Sequence, residues 1–322
     1  MWFKQLQLFQ FHSSLNLSSN TLIDKLESLA FRSCLPSMEK SMGWISPLDS
    51  DDVNAPLIRS INGYTMLCLQ IEEKILPASV IRHELAKKIK QIESEEDRKV
   101  RQSEKLSLKD EIKLTLLPRA FSKFTKLYAY IDVKNRRVIL GTANAKKAEQ
   151  FIMMFKKSVS EDISSVDINK LSPIITHWIK DQDYPSSFSI EKSCVLQDPN
   201  QQGRIIRCQQ QDLFTIGVRS LIKDGCEVKQ LAINWQDRVN FILSDDLSLK
   251  SLKFQDEITA QVKEMEPETQ DQQFDADFLI MTDTLSQVLD DLLIVFNKKN
   301  PNEITDRVAP DTNKITSLIE TA

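Results

Sequence analysis

Glycine is scarce in this chain, which limits the folds and ligand sites that it can build. Only 6 of its 322 residues are glycine, whereas an average protein has about 7%. Neither G-x-x-x-x-G-K-[ST] nor G-x-G-x-x-G occurs. Both motifs use glycine so that the backbone can wrap around a nucleotide phosphate. The sequence therefore lacks the common phosphate loops of nucleotide-binding enzymes.

The cysteines and histidines are scattered, so they predict neither a disulfide framework nor a metal centre. The five cysteines are odd in number, and none has C-x-x-C spacing: Cys34, Cys68, Cys194, Cys208 and Cys226. The three histidines are also far apart in the sequence. This pattern is typical of buried free thiols in a reducing, cytoplasmic compartment. We expect no metal and no cofactor.

No segment of the chain is apolar for long enough to cross a membrane. No uninterrupted apolar run is longer than five residues, the length of 292–296, whereas a spanning helix needs about 20 such residues. Residues 1–11 contain one lysine and no small-residue cleavage site, so we expect no secretory signal. We therefore expect a protein with no membrane partner, and its length allows about two domains.

Hydrophobic periodicity predicts an α+β fold of antiparallel sheets with packed helices. Strands are expected over residues 2–11, 64–71, 127–132, 137–141, 228–234, 238–243 and 248–254. Helices are expected over residues 19–30, 79–105, 108–117, 145–159 and 277–296, and a loop over residues 33–62. These patterns divide the chain into a central α/β part (1–75 with 118–160), a basic helical segment (76–117), a small extension module (161–227), a second α/β part (228–298) and a polar tail (299–322).

Positive charge is concentrated in one part of an acidic chain. The 42 basic and 46 acidic residues give a net charge of −4. Residues 74–157 hold 21 basic and 10 acidic residues, a net charge of +11, whereas residues 255–322 hold 5 and 15, a net charge of −10. A polyanion responds to such a local block, whatever the sign of the whole chain.

Helical spacing places part of this block on one face of the long helix predicted over residues 79–105. At about 100° per residue, five cations share one sector: Lys87, Lys90, Arg98, Arg101 and Lys105. Their row would be about 27 Å long at 1.5 Å per residue, close to the turn of about 34 Å in duplex DNA. A row of like charges does not stabilise a helix. The open alternatives are an ordinary solvated face and a surface for a polyanion.

The basic excess continues beyond this helix, where Lys109, Arg119, Lys123, Lys146 and Lys147 are further candidates for phosphate contacts. Residues 74–120 contain no aromatic residue, and the first ones that follow are Phe121 and Phe124. Proteins that bind single strands without sequence preference stack bases on aromatic side chains. The composition therefore favours phosphate contacts on duplex DNA.

Two alternative functions stay open. Glu72 and Lys74 have an E-x-K spacing at the end of a predicted strand, with Asp49, Asp51 and Asp52 upstream. Metal-dependent nucleases use such carboxylates to hold Mg²⁺. Alternatively, the basic helix could dock an acidic protein in a scaffold without enzymatic activity.

Several sequence blocks, in the same order, resemble the family of the bacterial recombination-associated protein RdgC. The blocks are Met42-Gly43-Trp44, EEKILP (72–77), SLKDE (107–111), LLPRAFS (116–122), AKKAE (145–149), SLKSLKF (248–254) and FDADFLIMT (274–282). The resemblance extends along nearly the whole chain and is weakest over residues 160–230.

This resemblance implies a function that the residues alone do not give. Members of the family form a ring-shaped dimer of horseshoe-like protomers around a positively charged hole, and bind duplex DNA with little sequence preference. They restrain a RecA-type recombinase by limiting its access to DNA during recombination and replication, so we expect a nucleoid-associated protein without catalytic residues. The family pattern implies a dimer contact at Phe121, a second one within residues 161–227, and DNA contacts at Arg98, Lys99, Arg101, Lys105, Lys109, Arg119, Lys146 and Lys147.

Overall fold

The computed structural model describes residues 2–11, 19–48, 55–159, 161–166, 171–200 and 203–297. This part of the chain has a mixed α+β fold with antiparallel sheets, which confirms the predicted class. The predicted polar tail, residues 299–322, lies outside the described residues. No helix in the described part combines the length and the apolar character that a membrane crossing requires.

The strands and helices alternate irregularly along the chain. The strands are β1 (Gln7–Phe11), β2 (Lys40–Ile45), β3 (Ile58–Ile61), β4 (Tyr64–Lys74), β5 (Ser122–Asp132), β6 (Arg137–Leu140), β7 (Ile163–Ser165), β8 (Phe188–Gln197), β9 (Ile205–Gln209), β10 (Glu227–Trp235), β11 (Val239–Ser244) and β12 (Leu249–Phe254). The helices are α1 (Ser19–Glu27), α2 (Ala78–Glu96), α3 (Gln102–Leu116), α4 (Ala145–Val159), α5 (Leu171–Asp181), α6 (Ile216–Lys223), α7 (Asp256–Glu264) and α8 (Gln270–Asn297).

The first sheet has seven strands, in the order β2-β4-β5-β6-β1-β7, with β3 also paired to β4. Its longest pair is β4 with β5, which stay in register from Tyr64 opposite Asp132 to Lys74 opposite Ser122. Because β6 pairs only with residues 129–132, the other end of this long pair extends past it. The helices α2 and α3 are inserted between β4 and β5 at that end.

Helices α1 and α4 cover one face of the seven-stranded sheet. Phe151 and Phe155 of α4 are fully buried against the sheet, and the ring of Phe151 meets that of Trp44 edge to face at 5.4 Å. The Trp44 Nε1–H donates to Ser158 Oγ at 2.7 Å. Next to this tryptophan, only glycine fits at position 43, because a Cβ there would lie 2.3 Å from the Cα of Phe31.

The second sheet has five strands, in the order β12-β11-β10-β8-β9. Apolar residues of α5, α6 and α8 pack on one face of it, in a core that includes Trp235, Phe241 and Phe278. This core also reaches the face of the first sheet opposite α4. The backbones of Leu6 and Leu249 bridge the two sheets through hydrogen bonds of 2.8 and 3.0 Å.

The structure corrects two local predictions in the first sheet. Residues 33–62 were expected to form a loop, but they contain β2 and β3, which pair with β4. The first strand begins at Gln7, later than predicted. The predicted hairpin of β5 and β6 and the helix that starts after Asn144 are confirmed.

The small extension module predicted at residues 161–227 contributes strands to the second sheet. Strand β8 pairs with β10 along most of its length, and β9 pairs with β8. The predicted boundary at residue 227 therefore falls at the start of β10, within one sheet. The division of the chain into domains stays a prediction.

Candidate nucleic-acid interface

The basic segment folds into two helices, which corrects the prediction of one long helix over residues 79–105. Helix α2 ends at Glu96, and Asp97 adopts a left-handed backbone with φ of 46°. Helix α3 begins at Gln102, after an extended Arg101. The last turn of α2 contains Glu95 and Glu96 and no basic residue, and Asp97 follows it. Carboxylates near a helix C-terminus are unfavourable because they face the negative end of the helix dipole.

The break changes the arrangement of the predicted basic stripe. Lys87 and Lys90 lie on α2, whereas Lys105 and Lys109 lie on α3, which packs beside it. The predicted row of 27 Å therefore does not form. A groove of about 270 Å³ separates the two helices, and Lys87 lines it together with Glu111 of α3.

Arg98, in the turn between the two helices, is held by two carboxylates. Its guanidinium donates two hydrogen bonds of 2.8 Å to Glu104 and one of 2.5 Å to Glu96. The hydrogen bonds that Arg98 donates to Glu104 and Glu96 raise its pKa. Lys99 and Arg101, on either side of the buried Val100, are exposed and form no salt bridge with any described residue. A role of Arg98 in phosphate binding stays a prediction. The charges of Lys99 and Arg101 are more available to a phosphate, because no described carboxylate forms a salt bridge with them.

A second group of cations converges at the far end of β4 and β5. Glu73 accepts a hydrogen bond of 2.8 Å from Lys40 Nζ, and Lys123 lies directly opposite Glu73 in the strand register. The hydrogen bond from Lys40, together with the charges of Lys40, Lys146 and Lys123, lowers the pKa of Glu73. We call Lys40, Lys123 and Lys146 the lysine cluster. Three cations around one carboxylate leave an excess of positive charge.

The first turn of α4 carries two lysines, Lys146 and Lys147, and no acidic residue. Asn144 caps this helix as predicted, because its Oδ1 accepts a hydrogen bond of 3.0 Å from the Lys147 N–H. Cations at a helix N-terminus are unfavourable because they face the positive end of the dipole. The two lysines thus do not stabilise the helix, whereas an anion bound beside them would.

Exposed aromatic side chains lie next to the cations at the start of β5. Arg119 is exposed at the end of a 3₁₀ turn, Leu117–Arg119, which the buried Leu117 anchors. Phe121 is 84% exposed and Phe124 is 55% exposed. The carbonyl of Phe121 accepts a hydrogen bond of 2.7 Å from the N–H of Ile75, which is itself 49% exposed. We call Ile75 and Phe121 the apolar patch, because an exposed pair of large apolar side chains is typical of a contact surface.

Of the lysine cluster, sequence reasoning found Lys123 and Lys146 and missed Lys40. Lys40 lies opposite Glu73 because β2 pairs with β4. That segment was predicted as a loop, so no local signal connected the two residues. Lys123 and Lys146 come together only through the packing of α4 on the sheet.

Both oxygens of the Glu72 carboxylate are engaged within the fold. Oε1 accepts a hydrogen bond of 2.6 Å from Ser122 Oγ, and Oε2 accepts one of 2.7 Å from the Cys34 N–H. Glu72 is only 3% exposed. The hydrogen bond from Ser122, followed by that from Cys34, lowers its pKa. The upstream acids of the nuclease hypothesis, Asp49, Asp51 and Asp52, lie outside the described residues, and the described ones contain no group of three or more potential metal ligands.

The Glu72→Gln variant is expected to unfold with a free energy about 1–3 kcal/mol lower at pH 7, since its amide leaves one of the two donors unpaired. The folded pKa of Glu72 lies below its usual 4.5. The carboxylate therefore stabilises the fold above that pH, and this stabilisation is lost as the pH falls through the folded pKa. Urea unfolding at pH 7 and pH 3.5 should show a difference from wild type that shrinks in acid. An equal difference at both pH values would contradict this role.

The fold and the site define an α+β protein in which a basic helical hairpin and a lysine cluster flank one end of a long strand pair. The family described as "Putative exonuclease, RdgC" matches residues 1–299. The "Recombination-associated protein RdgC" of Yersinia enterocolitica serotype O:8 / biotype 1B is 36% identical over 296 residues, which cover 91% of this chain and 97% of the relative. The protein of the same name from Yersinia pestis (strain Pestoides F) has the same identity and coverage. The chain belongs to the RdgC family.

Proposed function

We propose that this protein binds duplex DNA through its phosphates, without sequence preference, and acts in recombination. The observation that carries the proposal is the lysine cluster, in which cations from three separate segments surround one carboxylate. Lysine side chains repel one another, so their convergence costs free energy. An anionic ligand is the best explanation for such a convergence. The names of the relatives, recombination-associated proteins, support DNA as that anion.

The protein acts as a homodimer in this proposal, with Phe121 at the contact. Two horseshoe-like protomers close a ring around DNA, and the ring limits the access of a RecA-type recombinase during recombination and replication. The split of charge supports this arrangement, because a basic segment can line a hole while the acidic C-terminal segment stays outside. The protein is then cytoplasmic, associated with the nucleoid, and needs no cofactor.

Light scattering with and without a random duplex of about 25 base pairs tests binding and self-association together. We expect the mass of a dimer alone, and the mass of a dimer plus one duplex in the mixture. A monomer that gains no mass would overturn the proposal. Binding of an acidic polypeptide but not of duplex would favour the scaffold alternative.

The nuclease alternative is tested with supercoiled plasmid and Mg²⁺ or Mn²⁺. We expect the plasmid to remain uncut, because the Glu72 carboxylate is buried and engaged with Ser122 and Cys34. Cutting by wild type that is lost in folded Glu72→Gln would replace the proposed function with a nuclease.

Arg98 is expected to contribute less to DNA affinity than its neighbours, because Glu96 and Glu104 already neutralise it. Arg98→Ala should weaken binding of a random duplex by less than about threefold. The double variant Lys99→Ala, Arg101→Ala should weaken it about tenfold and should also lower the salt slope by about 2, at about 0.9 per lost phosphate contact. Fluorescence anisotropy at 100 mM salt compares them. A larger loss for Arg98→Ala would mean that Arg98 leaves its carboxylates to bind DNA.

A further inference from the structure

We infer that the outward face of the five-stranded sheet is a second phosphate-binding surface for duplex DNA. The inference rests on the proposed function and extends it to residues outside the basic segment. The cations concerned are Lys192 of β8, Arg207 of β9, and Lys250 and Lys253 of β12. We call this surface the sheet face.

The strand register places three of these cations on the face opposite the core. Lys253 lies opposite Asn240, and Lys250 lies opposite Ile242 on the same neighbouring strand. Arg207 lies opposite Val195 across the pair of β8 and β9. Residues directly opposite each other on antiparallel strands point to the same side. The alternate residues of these strands, Phe241, Leu243 and Cys194 among them, are buried on the side of α5 and α8.

The sheet face is accessible. Lys192, Arg207 and Lys253 are exposed, and Lys250 is half-buried. The face contains a shallow trough of about 450 Å³, which Lys192 and Lys253 line from opposite sides. Ser193 and Asn240 also line the trough and can donate hydrogen bonds to phosphate oxygens.

The charge of the sheet face is unbalanced. None of its four cations forms a salt bridge with a described residue, and the trough is lined by one acid, Glu191. Near the start of β10, the central strand of the same sheet, Lys229 by contrast lies between Glu227 at 3.1 Å and Asp245 at 3.3 Å. Because these cations are not paired with carboxylates, they are available to bind a polyanion.

Spacing and composition favour duplex DNA over a single strand. Lys192 and Lys253 lie on strands three steps apart, so the two strands are separated by about 14 Å across the sheet at about 4.8 Å per step. That span is close to the major groove, which is about 12 Å wide. The aromatic residues of β11 and β12, Phe241 and Phe254, pack on the core side instead. Without them, the described part of this face offers bases no stacking platform.

The test compares two triple variants with the same change in charge. Lys192→Glu, Lys250→Glu, Lys253→Glu alters the sheet face. Its control is Lys180→Glu, Lys223→Glu, Lys263→Glu, which changes exposed lysines on α5, α6 and α7. Anisotropy with a random duplex of 30 base pairs, from 50 to 200 mM salt, should show at least tenfold weaker binding for the first variant than for the control. The salt slope should fall by about 2–3, at about 0.9 per phosphate contact.

The inference would be overturned if the sheet-face variant bound duplex within twofold of the control, with an unchanged salt slope. The proposed function would then still rest on the lysine cluster. If wild type itself fails to bind duplex, the proposed function fails, and the inference fails with it. Wild type that binds polyglutamate but no duplex would assign the face to an acidic protein. Thermal unfolding verifies the fold, and Lys→Gln at the same three positions replaces any variant that does not fold.

Discussion

Reversal of two charges in the lysine cluster is expected to weaken the binding of duplex DNA about a hundredfold at 100 mM salt. In the variant Lys123→Glu, Lys146→Glu, two carboxylates replace two cations beside Glu73. The loss corresponds to about 2.7 kcal/mol, from two missing phosphate contacts and the repulsion of DNA by three neighbouring acids. The salt slope should fall by about 2. Fluorescence anisotropy with a random duplex measures both quantities.

The control for this prediction is Lys180→Glu, Lys223→Glu, which changes net charge equally at exposed positions on α5 and α6. It should weaken binding less than about threefold. An equal loss in the control would mean that net charge alone governs affinity. In that case the convergence of Lys123 and Lys146 would have no special role.

Removal of the Phe121 ring is expected to convert the proposed dimer into a monomer. Phe121 is 84% exposed in the isolated chain, and burial of a phenylalanine contributes about 1.5–3 kcal/mol. A twofold-symmetric dimer buries two copies of it, so Phe121→Ala should raise the dissociation constant by about two to four orders of magnitude. Light scattering over a dilution series from micromolar to nanomolar protein follows the change. Because the ring makes little contact within the chain, the melting temperature of the monomer should stay unchanged.

Met153→Ala is the matched control for Phe121→Ala. Met153 is 54% exposed on α4, so its truncation also removes an exposed apolar side chain. It should leave the dimer intact. A Phe121→Ala protein that keeps the dimer mass at every concentration would place the contact elsewhere and would remove the apolar patch from the proposal.

Elements with strong local signals were predictable from the sequence. The hairpin of β5 and β6 and the three last strands follow from alternating patterns, and α4 follows from its cap at Asn144 and its apolar face. Strands β2 and β3 were missed because their stability comes from pairing with β4. At Gly43, for example, the reason for glycine is a close approach to the backbone of Phe31, a contact that no local pattern shows.

The candidate site was only partly predictable. Composition alone located the basic segment, and helical spacing then placed its cations on a single long helix. That helix is divided in the structure by the acidic end of α2 and the left-handed backbone of Asp97. Lys123 and Lys146 were chosen for their charge, but their approach to Glu73 depends on tertiary packing. The cations of the sheet face were missed because their common direction follows from strand register.

Salt dependence of binding is the most direct test of the central claim that cations hold DNA by its phosphates. Affinity should be measured from 50 to 200 mM salt on two duplexes of equal length and unrelated sequence. We expect the two affinities to agree within about threefold at each salt concentration and log K to fall linearly with log[salt], with a slope of about −0.9 per phosphate contacted. An affinity independent of salt, or one that differs by orders of magnitude between the two sequences, would contradict the account.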